Sequence, residues 1–451
     1  MLIDQFAAYV GQQAHAPLAD DVQHHARRVV IDWFAALLAG VPMAPGQQLA
    51  AAHQEEFGVG HSSVIGRATT AFPALAAWVN GSVSHAAEFD DIFRDAVYHP
   101  GCPTIAAALA LAEHRNASGA DLLRAVVAGY EVSTRIGAAI QPAHYRYFHT
   151  TGTVGCIGAA AAGALLMAPG NAAVAGHAMA TATTFASGLQ QAFRSDAMTK
   201  ALHAGHAAQA GVLGAQGAAH GVTGVRDILE GDAGFGAALC GSPNWDIATE
   251  GLGSTYNVTR ITQKNHGCCG HTFAAIDAAM RIVRDHALDT AKIAAVRVHT
   301  YQVALDVTGN FTPATPFEAR FSLPYVVAHG ILRGAVRLDA FEAQRLADPS
   351  IRALMQRITL AADAALSAAF PRQRAARVEI EMADGKRHAH FAPHRLGDPE
   401  APLDDAMLAD KFMELAAPAL GTVKAAGLLD ALWRLDERPV RDLGLHALRA
   451  G

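Results

Sequence analysis

The chain has 451 residues and a formal charge of −6, so no basic excess draws it to nucleic acid or to an anionic membrane surface. With 51% hydrophobic and 17% charged residues it can bury a large core, which excludes disorder as the dominant state. At roughly 100–200 residues per domain, that length predicts two or three domains.

At the N-terminus, MLIDQFAAYV carries an acid at Asp4, with no basic run and no apolar run ending at a cleavage site, and reads as lacking an export signal. Five scattered cysteines, an odd number, read as reduced thiols in a cytoplasmic protein. Asp20 or Asp21 opens a helix through Leu38 that Gly40 closes, Pro103 leads into a helix over TIAAALALAEHR, and Ser118 to Asp121 open another over LLRAVVAGYEVSTRIG. Between 147 and 193 there is no Asp, Glu, Lys or Arg, but Pro169-Gly170 cuts this Ala- and Gly-rich stretch into pieces shorter than the roughly 20 strongly apolar residues a bilayer requires. The stretch predicts a buried helical hairpin, with Gly155, Ala159 and Gly163 presenting small side chains on one face to an approaching helix.

The texture changes after Tyr256. IAAVRVHTY and ARVEIEMADGKRHAHF are β-branched or alternating, and Asp384-Gly385 reads as a hairpin turn. From Pro399 the pattern is helical again, with Asp404 ahead of AMLADKFMELAAPAL and then LLDALWRL. The predicted fold class is mostly α with a second α+β domain: an all-helical domain over 1–255, completed by 397–451, and a smaller inserted α+β domain over 256–396.

Common catalytic signatures are missing: no G-x-x-x-x-G-K-[ST], no G-x-G-x-x-G after a strand, no G-x-S-x-G elbow. Gly152, Gly155 and Gly158 are spaced for helix packing rather than for a phosphate loop. Neither His203 with His206, nor Asp90 and Asp91 with His99, completes a recognisable metal pattern, so no metal is assigned. The vicinal Cys268-Cys269 is not C-x-x-C and reads as a packed thiol pair near a site.

What remains is a set of ionisable residues at loop-like positions. In EFDDIFRDAVYHPGCPT, His99 precedes a Pro-Gly turn and a helix start, where backbone N–H groups could hold a substrate carboxylate beside a base. His149 ends the aromatic run HYRYFH, either as a satisfied core residue or as a base in a desolvated pocket. Lys200 is the sole lysine before Lys264, every other cation in that span being arginine, which marks both as compact, tunable charges. Two lysines, two histidines and an aspartate suit proton abstraction next to a carboxylate, where cations stabilise the enediolate.

Eight collinear segments, among them SVIGRATTAFPALAAWVNGSVSHAAEFDD, HPGCPTIAAALALAE, FHTTGTVGCIGAAAAGALL, MTKALHAGHAAQAGVLGAQGAAHG, KNHGCCGHTFAAIDA and EARFSLPYVVAHGILRG, resemble the MmgE/PrpD family over nearly the whole chain. That family includes 2-methylcitrate dehydratase, cis-aconitate decarboxylase and iminodisuccinate epimerase. The resemblance implies a homodimer and an active site between the domains that uses no metal or organic cofactor. It matches Asp91, His99, His149, Lys200 and Lys264 to the family's motif positions. Where decarboxylase-like members carry Thr, His and Tyr, this sequence has Ile92, Cys269 and Val307, which disfavours a cis-aconitate decarboxylase. KNHGCCGHT resembles the epimerase-containing branch and adds His266, Cys269 and His271 as substrate-contacting candidates.

The expectation is therefore a cytoplasmic, cofactor-independent lyase, 2-methylcitrate dehydratase-like, acting on a small di- or tricarboxylate. An epimerase of an iminodisuccinate-like acid is the alternative, ahead of a decarboxylase or a non-catalytic small-acid binding protein. Lys200 and Lys264 would hold carboxylates, His149 and His99 would move protons, and Asp91 would orient a histidine or act as the base. Its partner would be the substrate and a second copy of the chain, with no nucleic acid and no membrane.

Overall fold

The helical signals of the N-terminal half become a packed set of helices in the computed structural model, which describes residues 1–193 and 197–451. These are α1 (Leu2–Gln13), α2 (Asp20–Gly40), α3 (Pro73–Ser84), α4 (Gly101–Arg115), α5 (Gly119–Ala139), α6 (Thr150–Thr153), α7 (Gly155–Met167), α8 (Ala172–Thr183) and α9 (Thr199–Ala219). The caps follow the expected chemistry: Ser118 accepts from the Asp121 N–H at the start of α5, and acids stand in the first turn of α2. A short antiparallel pair, β1 (Ser62–Val64) with β2 (Thr69–Ala71), precedes α3. The C-terminal helices Asp405–Leu420 and Thr422–Trp433 return to this unit, which comprises Met1–Gln263 and Asp404–Gly451. Fully buried Lys411, on the first of them, donates to Asp32 Oδ1 of α2 at 2.6 Å.

The charge-free stretch is the hairpin α7–α8. The helical run Thr150–Met167 is long and apolar enough to cross a membrane by length and composition, but 94% of it is buried inside the structure. Small residues let its neighbours approach. A Cβ on Gly211 of α9 would lie 2.3 Å from the Ala159 Cβ, and one on Gly163 would lie 2.8 Å from the Ala215 Cβ. α3 and α9 also approach closely: a Cβ on Gly205 would stand 2.0 Å from Ser82 Oγ and 2.3 Å from the Trp78 carbonyl oxygen. Gly205→Ala should therefore force the two backbones apart and cost about 1–3 kcal/mol, measurable as a lower denaturation midpoint with an unchanged slope.

The second unit, Lys264–Leu403, is α+β. Its mixed sheet runs in the order β4-β3-β5-β6, with β3 (Ile293–Thr300), β4 (Ile358–Ala362), β5 (Ala376–Met382) and β6 (Arg387–Ala392). β5 and β6 form the expected hairpin, with Gly385 at φ +84° and Arg387 opposite Glu381. β4, which pairs parallel to β3, carries no clear strand signal in ITLAA. Helices Phe273–Asp285 and Leu323–Arg333 build the core with the sheet through Phe273, Ile276, Val326, Val296, Val378 and Ile380.

The chain is thus mostly helical with a smaller α+β unit. The turn at Asn257–Arg260 belongs with the helices because Val258 N–H and the Asn257 amide bond to Glu131 and Thr134 of α5. Residues up to Leu403 belong with the sheet unit, where Asp277 accepts from the Leu396 N–H at 2.8 Å and Arg395 is paired with Asp398.

Candidate active site

The tight α3–α9 crossing sets the site. His85 caps the C-terminal end of α3 and His203 lies one turn into α9, so glycines packed backbone to backbone bring their side chains into one region. Beyond α3 the chain turns through Glu88 and Asp90. Buried Asp90 Oδ2 accepts from His85 Nδ1 at 2.8 Å and from Cys102 Sγ at 3.2 Å, and lies 2.9 Å from His99 Nδ1. A carboxylate holding Nδ1–H fixes the His85 imidazole in the tautomer whose Nε2 carries the lone pair, the form a base needs. Among the described residues, buried His85 Nε2 has no hydrogen-bond partner. The ligand-type atoms of His85, Asp90 and His99 lie within 4.8 Å of one another, but the Asp90 carboxylate already accepts from His85 and Cys102, so the trio is not assigned as a metal site.

Asp91 faces elsewhere. Its Oδ2 accepts from Tyr130 Oη at 2.7 Å and its Oδ1 from the Gly101 N–H at 3.0 Å. Gly101 opens α4, so the helix N-terminus expected to receive a substrate carboxylate is filled by the chain's own Asp91. Burial, then the Asp32 charge, pushes the Asp91 carboxyl up to about 8, so it is neutral at pH 7 and anchors the turn that carries His99.

His149 lies immediately before α6, its backbone N–H held by the Gly188 carbonyl at 2.9 Å. Its ring stacks on His85 at 5.5 Å between centroids, and its Nδ1 meets His203 Nδ1 at 3.1 Å. Burial first, then the neighbouring His85 and Lys200, holds His149 well below the ordinary histidine range. Lys200, in the first turn of α9, is ion-paired with Glu88. Burial works against its charge, but the Glu88 carboxylate and then Asp90 outweigh it and raise its pKa. The result is a neutral buried base beside a persistent cation. His203 also lines an open cleft of about 510 Å³ with Ser187, Gly188, Leu189, Gln191 and Thr199.

Lys264, His266, Cys269 and His271 belong to the second unit. Lys264 and His266 are buried. His266 Nε2 donates to Asp277 at 2.8 Å, and its buried Nδ1 has no hydrogen-bond partner among the described residues. His271 Nδ1 bonds to Tyr301 Oη at 2.7 Å, and burial, then Arg374 and Arg395, lowers it to about 3. Cys269 donates its backbone N–H to the Arg320 carbonyl, Arg320 donates to the Gly267 carbonyl at 2.9 Å, and Arg395 to the Gly270 carbonyl at 3.3 Å, so arginines pin this segment. Val307 is exposed on the short helix Gln302–Thr308.

Of the residues singled out from sequence, the structure brings together His99, His149 and Lys200, with Asp91 behind them. Sequence reasoning missed His85 and the partner roles of Asp90, Glu88 and His203. The acid run was visible, but which of its members faces a histidine depends on the turn, and His85 and His203 meet only through the helix crossing.

Two family models match the chain: the MmgE/PrpD N-terminal domain over residues 4–248 and the MmgE/PrpD C-terminal domain over residues 266–437. A cis-aconitate decarboxylase-like protein of Aspergillus oryzae is 27% identical over 92% of this chain and 90% of its own length. The cis-aconitate decarboxylase of Aspergillus terreus is 25% identical over 93% and 90%. The human cis-aconitate decarboxylase is 30% identical over 64% of this chain and 61% of its own length.

Proposed function

The chain belongs to the MmgE/PrpD family, and from that premise we propose that it is a lyase acting on a small di- or tricarboxylate, a hydro-lyase that removes a proton next to a carboxylate without metal or organic cofactor. The observation that carries this reading is the pairing of His149, buried and held neutral, with the persistent cation of Lys200. A carbon acid beside a carboxylate needs a base already deprotonated at working pH and positive charge where the enediolate forms. His149 takes the proton, Lys200 stabilises the enediolate, and loss of the β-hydroxyl completes dehydration. His99, whose Nδ1 lies 2.9 Å from Asp90 Oδ2, is the candidate group to protonate the departing hydroxyl, acting as the imidazolium.

Decarboxylation is the second reading, favoured by the activity named for the curated relatives. Loss of CO₂ leaves the same enediolate on the same cation, and the histidines would then deliver a proton rather than remove one.

Proton NMR in D₂O with 2-methylcitrate, citrate, cis-aconitate, malate and an iminodisuccinate, with and without EDTA, tests both. A new alkene from citrate or 2-methylcitrate, unaffected by EDTA, is the expected result. Loss of a carboxyl group from cis-aconitate would establish the decarboxylase, and α-deuteration with no other change an epimerase. A folded protein that is silent on every acid would overturn the lyase reading.

A further inference from the structure

We infer that His203 is the proton-exchange partner of His149: it receives the proton taken from the substrate and passes it to water in the cleft. This rests on the proposed function, in which His149 is the base. Three observations carry it. His149 is buried, at 1% exposure, so a proton it accepts has no direct route to bulk water. Its Nδ1 is 3.1 Å from His203 Nδ1. His203 is partly exposed and lines the 510 Å³ cleft.

Local packing is arranged around that contact. Gly188, whose carbonyl holds the His149 N–H, has φ +131°, and a Cβ there would stand 3.2 Å from His203 Cγ. A Cβ on Gly152 would lie 3.1 Å from the His203 Cβ. Both neighbours are glycines where the imidazole passes. The charged and titratable groups acting on His203 are His85 from the end of α3, and Lys200 and His206 on its own helix. With burial as the larger cause, they hold it at about 4, so neither imidazole of the pair retains an extra proton at neutral pH and the pair passes one on.

The step balances in protons and charge. With Nδ1–H of His149 directed at His203, the substrate proton arrives at Nε2. The Nδ1 proton then moves to His203 Nδ1, and the Nε2 proton of His203 leaves to water, the reverse transfer resetting both tautomers. Only C–H, N–H and O–H bonds change, and no electron is gained or lost.

Deuterium wash-in distinguishes this role from a structural one. Wild type and His203→Asn are incubated in D₂O with citrate, 2-methylcitrate, cis-aconitate and malate. Deuterium in recovered substrate is compared with product formed at equal conversion. Asparagine can hydrogen-bond to His149 but cannot carry a second proton, so the ratio of wash-in to turnover should fall at least tenfold as the abstracted proton is returned to carbon. An unchanged ratio in the variant overturns the inference while leaving His149 as base. Product formation by wild type with no wash-in at all, at any conversion, overturns the inference, since the abstracted proton then never reaches water, whereas product formation by His149→Asn at the wild-type rate overturns the base assignment beneath it. If His203→Asn does not fold, His203→Gln carries the same comparison.

Discussion

Lys200→Met should lower kcat/KM by roughly 10²–10³, with far-UV circular dichroism unchanged, because one preorganised charge on a developing oxyanion is worth about that much. Lys200 is partly exposed and sits at the start of α9, where methionine replaces its stem without leaving a hole in the core. Lys200→Arg should recover little of the rate, since the broad guanidinium does not reproduce a compact ammonium paired with Glu88. Glu88 also sets the alkaline side of the pH profile. Its charge holds the ammonium above the ordinary lysine range, so the rate should persist to high pH in the wild type. Glu88→Gln should bring the alkaline limb downward. Kinetics across pH check both, and a Lys200→Met variant of near-normal rate would remove Lys200 from the mechanism.

His149→Asn should lose roughly 10²–10⁴ in kcat, the range of a general base. The pH dependence follows from sign. A base works only when deprotonated, and burial together with His85 and Lys200 keeps His149 well below 6.5. The acid limb of kcat/KM should therefore lie well below 6.5, with a flat rate from there through neutrality. Stability runs in the same direction. His203 and His144 are held at about 4 and His271 at about 3, all chiefly by burial. Each contributes stability that is present above the unfolded value near 6.5 and is lost as pH falls through the folded one. Loss of activity while the circular dichroism stays native reports His149, and loss of the circular dichroism reports the buried set.

The relatives named above are cis-aconitate decarboxylases or decarboxylase-like, whereas this chain has Ile92, Cys269 and Val307 at the positions read as departures. Ile92 pairs its backbone with Thr262 in an isolated bridge, and Val307 faces solvent. The panel of acids reads the outcome directly.

Local chemistry by itself determined the helices opened by Asp20 and Ser118, the charge-free hairpin split at Pro169-Gly170, the Asp384-Gly385 turn and the return to helix after Asp404. Each depends on caps, breakers and periodicity, all carried by residues adjacent in the chain. It also marked His99 by the Pro-Gly turn that follows it, His149 by the aromatic run it ends and Lys200 by the scarcity of lysine. Only the tertiary structure decided that Asp90 rather than Asp91 holds the histidines, that Asp91 closes a helix N-terminus, and that Glu88 pairs with Lys200. Adjacent acids in a turn point in opposite directions, and their order alone does not say which one meets a histidine. His203 had the spacing of a metal pair with His206, yet it meets His149 across 54 residues because Gly81 and Gly205 let two helices touch. A contact of that kind depends on the absence of side chains far apart in the sequence, and packing alone reveals it.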